Sequence, residues 1–358
     1  MAGKMKAQVF YEPLKMQLEE IDIPKIADDQ VLVRVKACGV CGSDIAYYYG
    51  NSPLETPDGK GPLVLGHEFS AEVAEVGALP AKLGLFKPSD RVVVDPVQYC
   101  NACEICKRGY VNLCEKKTVL GVSVNGGFAE YCVSHYTGLH KLPDNVPYDQ
   151  GALAEPLADA VYALQKAQVA LGDFVVVIGP GAIGLMMVQL LKSSGAGKVA
   201  LVGTRDYRLE VGKKMGADII LNTKEEGSPY YVADLKKKIG ELTDEKYANV
   251  VMTPTGSVPA MESAFAISGR RARIVFFGLP GANDFIKIPA LDTIFWDKSI
   301  LFSWLAPLTW PTAMQALGNN LVDVAPLITH SIKLDDLVQG IADVKNRADD
   351  VMKAVVTI

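Results

Sequence analysis

The segment DFVVVIGPGAIGLMMVQLLKSSG, residues 173–195, constrains the fold more than any other stretch of the chain. A continuous apolar run of strand length ends at Gly179, and Gly179, Gly181 and Gly184 stand in the spacing G-x-G-x-x-G. An apolar-faced helix follows at once, and a second strand, KVALVG, comes next, which is the setting that gives this spacing meaning. In that setting Gly179 permits the tight turn, Gly181 lets the backbone approach a pyrophosphate, and Gly184 lets helix and strand pack closely. The helix N-terminus offers free N–H groups and a partial positive charge to the phosphates. A Gly-rich turn in some other α/β protein remains the bland reading.

The same texture continues with the helix RLEVGKKMGA and the strands ADIILN, ANVVMTPTG, RARIVFFG and SILFSWL. Strands alternating with helices predict βαβ units and a doubly wound parallel sheet buried on both faces. The N-terminal part differs. KAQVFYE, DQVLVRVKACG, FSAEVAEVG and DRVVVDPV alternate apolar and polar residues between Gly, Pro and Asp turns, as half-buried strands of an antiparallel or barrel-like body do. With 358 residues and 49% hydrophobic content, the chain suits two domains. The expected division is an α/β dinucleotide-binding domain over 154–299 and a β-rich domain over 1–153 and 300–358, since the terminal strand KAVVTI returns to the first body.

Four of the seven cysteines lie in YCNACEICKRGYVNLC, a lobe near 96–116, as Cys100, Cys103, Cys106 and Cys114. The spacing C-x2-C-x2-C-x7-C lets successive thiolates wrap one tetrahedral Zn²⁺ at about 2.3 Å. Four sulfurs leave no position for a substrate, so such a zinc is structural. Ferredoxin-type clusters share the x2 gaps but use x3 and a Pro after the last cysteine, where this chain has x7 and Glu115. Unligated thiols are the third reading. A disulfide knot fits poorly, because MAGKMKAQVFYEP lacks the apolar core of a secretory signal and thiols stay reduced inside cells.

A second set of donors is scattered. ACGVCGSD supplies Cys41, LGHEFS supplies His67 and Glu68, and AEPLAD supplies Glu155. A thiolate, an imidazole and carboxylates make a zinc shell with a vacant position, where the metal acts as a Lewis acid toward a hydroxyl. Residue by residue, the bland alternative is a hydrogen-bonded loop histidine and a buried cysteine. Cys38 and Cys132 sit in apolar contexts and read as core.

The end of the second strand bears on cofactor choice. An acid there accepts from the ribose 2′-hydroxyl of NAD. KVALVGTRDYRLE places Gly203 at that point, followed by Thr204, Arg205 and Arg208, which can donate to a 2′-phosphate. Asp206 complicates the choice, since a shifted loop brings it to the ribose. The reading favours NADP over NAD.

CGSD at 41–44, GHE at 66–68, the cysteine lobe, EPLA at 155–158, GPGAIG at 179–184 and FFGLPG at 276–281 together resemble the zinc-containing medium-chain alcohol dehydrogenase family. Within it the chain is similar to the sorbitol (polyol) dehydrogenase branch. The resemblance covers essentially the whole chain. It implies a GroES-like catalytic domain and a Rossmann cofactor domain. It implies Cys41, His67 and Glu155 as the catalytic-zinc shell, with Glu68 beside the metal as an occasional or water-bridged ligand. Ser43 matches the hydroxyl through which the substrate proton leaves, and Tyr47 a tyrosine of the polyol pocket. Ile183, Arg208, Phe277, Gly278 and Leu279 match cofactor contacts. SILFSWLAPL resembles the subunit-pairing strand, which implies a homo-oligomer, dimer or tetramer. There are departures: Ser303 and Trp304 replace an Arg-Tyr pair that grips polyol hydroxyls, Ala46 replaces a histidine of many relatives, Ala71 replaces a small glycine, and Gly203 departs from NAD-using members.

The implied reaction is reversible oxidation of a secondary alcohol, on a polyol or sugar alcohol, to its ketone by hydride transfer. An L-threonine-type dehydrogenase, a zinc-free quinone reductase and a non-catalytic NADP(H)-binding protein stay open as alternatives. A net charge of −5 argues against a nucleic-acid partner, which usually needs a basic face. No apolar run approaches the roughly eighteen residues that span a bilayer. A cytoplasmic protein acting on a small molecule is expected.

Overall fold

Phe174–Ile178 forms the strand that the VVVIG run predicts, and helix Ala182–Ser193 follows it, in a computed structural model that describes residues 3–52 and 61–358. Val175, Val176 and Val177 are wholly buried, which is why no polar residue interrupts the run. Each such side chain contributes about 1.5–3 kcal/mol by leaving water. Helix Ala182–Ser193 presses Leu185, Met186, Met187, Val188, Leu190 and Leu191 inward. The six strands of this sheet run Ile219–Asn222, Lys198–Gly203, Phe174–Ile178, Ala248–Thr253, Ser268–Phe276 and Ser299–Phe302, all parallel. Numbered along the chain, that order is 3-2-1-4-5-6, the doubly wound arrangement that binds dinucleotides at the carboxyl ends of its strands.

In the N-terminal part Gln30–Gly39 is the hub of a seven-stranded sheet. It pairs antiparallel with Glu68–Val76, Tyr131–His135 and the terminal strand Lys353–Thr357. The C-terminal strand therefore does rejoin the first body, with Val355 opposite Gly39. A smaller sheet joins Lys15–Asp22, Lys4–Glu12 and Leu63–Val64. The alternation in VLVRV is only partly a half-buried pattern: Val31, Val33 and Val35 are buried and Arg34 is exposed, but Leu32 is buried too, so this end of the strand is covered on both faces. Leu65, Phe69 and Phe128 fill the core beneath it.

Two units result. One comprises Met1–Ala158, Pro307–Asn319 and Val324–Ile358, the other Asp159–Ala306 and Asn320–Asp323. The boundaries expected from sequence stood at 153/154 and 299/300. Ser299–Phe302 hydrogen-bonds in parallel to Ser268–Phe276 as the last strand of the second unit's sheet, which moves that boundary later. Among the described residues no helix is long and apolar enough to cross a membrane.

Candidate active site

The four lobe cysteines converge: the sulfurs of Cys100, Cys103, Cys106 and Cys114 all lie within 4.8 Å of one another. The x2 spacing achieves this by aiming backbone N–H groups at sulfur. The amide of Cys103 donates to Cys100 Sγ and that of Cys106 to Cys103 Sγ, each at 3.4 Å, and the amide of Cys100 donates to Cys114 Sγ at 3.5 Å. The amides of Ala102 and Cys103 lower the pKa of Cys100 to about 6, favouring the thiolate that binds a metal. The donor set fits Zn²⁺ and leaves no open position.

Cys41, His67 and Glu68 form a second cluster whose donor atoms lie within 4.8 Å of one another. Strand pairing builds it. Gly39 faces Glu68 in the antiparallel register, so Cys41, just past one strand end, meets His67, just before the other strand. His67 and Glu68 are buried and Cys41 is half-buried. Thiolate, imidazole and carboxylate in one cluster suit a zinc with a vacancy. Glu155, in the first turn of helix Ala154–Ala167, is buried but is not part of that 4.8 Å cluster; its charge reaches Lys353. Ser43 Oγ lies 3.4 Å from His67 Nε2. Tyr47 is buried on helix Gly42–Tyr48, and burial raises its pKa, with the charge of His67 among the weaker opposing influences.

Every cofactor residue expected from sequence stands at the carboxyl edge of the parallel sheet. Gly179, Gly181, Ile183 and Gly184 follow its first strand, Thr204, Arg205 and Arg208 its second, and Phe277, Gly278 and Leu279 its fifth. Gly179 adopts φ +123°, which a side chain resists. A Cβ on Gly181 would meet no heavy atom within 4 Å, so the backbone there faces open space that a pyrophosphate can enter. At Gly203 a Cβ would come within 2.6 Å of Pro180 Cγ. No acid can stand at that strand end without displacing the proline of the turn.

Comparison with known proteins agrees with this arrangement. Residues 27–144 match the alcohol dehydrogenase GroES-like domain and residues 182–319 the zinc-binding dehydrogenase domain. The chain is 33% identical to D-arabitol-phosphate dehydrogenase of Enterococcus avium over 94% of its own length and 92% of that protein. It is 31% identical to sorbitol dehydrogenase of Bacillus subtilis (strain 168), covering 97% and 96%. The chain belongs to the zinc-containing medium-chain alcohol dehydrogenases, in their polyol-dehydrogenase-like branch. A crystal structure described as a zinc-binding dehydrogenase from Sinorhizobium meliloti 1021, bound to NADP, superposes with TM-score 0.89 at 25% identity, covering 99% of this chain and all of that one. The chain is thus an oxidoreductase acting on alcohols, of the zinc type and with a nicotinamide cofactor.

Two residues of this dehydrogenase's site escaped the sequence reading. Asp44 is fully buried; its Oδ2 accepts from the amide of Cys41 at 2.8 Å, and its Oδ1 lies 3.3 Å from the amide of Gly66 and 3.4 Å from His67 Nδ1. One carboxylate thereby ties both ligand loops and orients the imidazole. Burial disfavours charge on His67, but Asp44 and then Cys41 outweigh it, so its pKa in the metal-free chain stands well above the ordinary value. The second residue is Lys353, buried at the start of the terminal strand and ion-paired with Glu68. The signals were present as an acid in CGSD and a lone lysine opening the apolar strand KAVV.

Proposed function

We propose that this dehydrogenase interconverts a secondary alcohol of a polyol or sugar alcohol and its ketone, and that it prefers NADP(H) to NAD(H). The observation carrying the reading is the cluster of Cys41, His67 and Glu68 donors within 4.8 Å, with a serine hydroxyl 3.4 Å from the imidazole. Cys41, His67 and a carboxylate hold the zinc in this reading: Glu68 stands in the donor cluster with its charge balanced by Lys353, and Glu155, buried but outside that cluster, is the ligand the family resemblance implies. When bound, zinc supplies Lewis acidity that makes a substrate hydroxyl easier to deprotonate. Asp44 keeps the His67 ring oriented, Ser43 Oγ relays the hydroxyl proton, accepting it as its own O–H proton passes on to water, and Tyr47 lines the pocket. The likeness to proteins named for arabitol phosphate and sorbitol supports a polyol substrate.

Gly203, packed on Pro180 and followed by Thr204, Arg205 and Arg208, supports NADP(H), and the NADP-bound neighbour is consistent with it. The edge strand Ser299–Phe302 supports self-association. Phe302 on that strand is 62% exposed, and Phe285, Ile294 and Phe295, which precede it in sequence, are 85%, 72% and 76% exposed, apolar surface of the kind a second copy covers. We place the enzyme, a homo-oligomer, in the cytoplasm. The decisive experiment is side-by-side kinetics with NAD and NADP over polyols, polyol phosphates, ketoses and L-threonine. Turnover of polyols with NADP is expected; turnover of threonine alone would overturn the substrate, and higher kcat/KM with NAD the cofactor.

A further inference from the structure

Helix Asp206–Lys214 begins three residues after Gly203, and Asp206 is the one acid between Thr204 and Arg208. It is therefore the one side chain of that turn able to accept from a ribose 2′-hydroxyl as an anion. Its carboxylate is already engaged. Asn222 Nδ2 donates to Asp206 Oδ1 at 2.7 Å, and Ser228 Oγ donates to the same oxygen at 2.6 Å. Asn222 is fully buried at the end of strand Ile219–Asn222, in register with Gly203. Its amide is fixed in turn: Oδ1 accepts from the backbone N–H of Lys224 at 2.9 Å and of Glu225 at 3.0 Å, and Nδ2 also donates to Glu225 Oε2 at 3.1 Å. Ser228 Oγ accepts from the amide of Tyr230 at 3.0 Å. Residues 222–230 thus fold as a clamp on one carboxylate. In the sheet order the third strand flanks the second on the side away from the first, which carries the glycine turn. The clamp ties the acid to that third strand and its loop.

We propose that Asn222 and Ser228 determine cofactor specificity by position: they hold the Asp206 carboxylate away from the 2′ position and leave that position to Thr204, Arg205 and Arg208. The inference rests on the NADP(H) reading. A carboxylate released into the turn would accept from the ribose hydroxyls of NAD(H) and repel a 2′-phosphate. The preference is then set by the third strand's loop as well as by the arginines. Sequence alone left Asp206 undecided because its partners lie sixteen and twenty-two residues further on.

The test is fluorescence titration of the full-length, zinc-loaded protein with NADPH and with NADH. Ser228→Ala, Ser228→Ala with Asn222→Ala, and both sets in an Asp206→Asn background are compared with wild type. A hydrogen bond to an ionised acid corresponds to roughly ten- to hundredfold in affinity. Release by the double variant is expected to lower the NADPH-over-NADH preference by about tenfold or more on that scale, and by less in Ser228→Ala. No change is expected when Asp206 is Asn. An unmoved ratio, or the same shift in the Asp206→Asn background, overturns the clamp. Ser228→Ala leaves the Asn222 contacts to Lys224 and Glu225 in place, so it decides the matter even if the double variant does not fold. The wild-type ratio judges the NADP(H) reading by itself, whereas the change on release judges the clamp.

Discussion

Lys353 and Glu68 form a buried ion pair that joins the terminal strand to the strand carrying the open donor cluster. Lys353 Nζ also donates to the carbonyl of Val40 at 3.1 Å. Burial opposes charge on the lysine, but Glu68 outweighs it, with Cys41 and Glu155 adding, and its pKa rises above the ordinary value. The cation is thus held in place by the anionic donors of the cluster. Removing one partner of a buried pair leaves the other uncompensated, at a cost of about 3–5 kcal/mol. Urea unfolding of metal-free Lys353→Met should show that loss, and Lys353→Met with Glu68→Gln should recover most of it. A single variant costing less than about 1 kcal/mol would mean the pair behaves like an exposed one.

Asp44 predicts a defect in metal affinity. Because it orients His67 and anchors the amide of Cys41, Asp44→Asn should weaken zinc at the open site by about 10–100-fold, as loss of outer hydrogen-bond partners does elsewhere. Chelator competition measures it, with the four-cysteine lobe as an internal reference. Equal weakening at both sites would point to general unfolding instead.

His140 predicts acid sensitivity. Its ring stacks on Trp310 with centroids 5.2 Å apart and planes 2° from parallel, and burial pushes its pKa from 6.5 down to about 4. The unfolded chain binds a proton below pH 6.5 that the folded chain refuses until about 4, so stability is full above 6.5 and falls as the pH drops between them. His140→Phe keeps an aromatic ring on Trp310 and should remove up to about 3 kcal/mol of that decline. Urea midpoints measured from pH 8 to pH 4.5 report it. Parallel profiles for both proteins would refute the assignment.

What the sequence revealed follows from how local each signal is. The cysteine lobe was legible because x2 spacing brings sulfur to a nearby amide within one loop. The glycine turn was legible because strand, turn and helix are consecutive. Cys41 and His67 could be singled out as donor types by residue, but their meeting depends on Gly39 lying opposite Glu68 across two strands. Lys353 was illegible for the same reason carried further: it reaches the site only because Val355 pairs with Gly39. Asp206 stayed ambiguous because its direction is set by Asn222 and Ser228.

The exposed edge predicts an association state. On the proposal that this strand pairs two chains, Phe295→Asp with Phe302→Lys should shift sedimentation to that of single chains, because Phe302 is exposed on the edge strand and Phe295 is exposed at the end of helix Ala290–Phe295. An unchanged sedimentation coefficient would place the interface elsewhere.

The central claim is that one of two metal sites, the one built on Cys41 and His67, carries the chemistry. Zinc content of wild type and of Cys41→Ala, measured with turnover and NADPH binding, tests it most directly. Wild type should hold two zinc ions per chain, one for each donor cluster, and Cys41→Ala one. The variant should lose turnover and keep NADPH binding, since the glycine turn belongs to the other unit. Two zinc ions and undiminished turnover in Cys41→Ala would contradict the account.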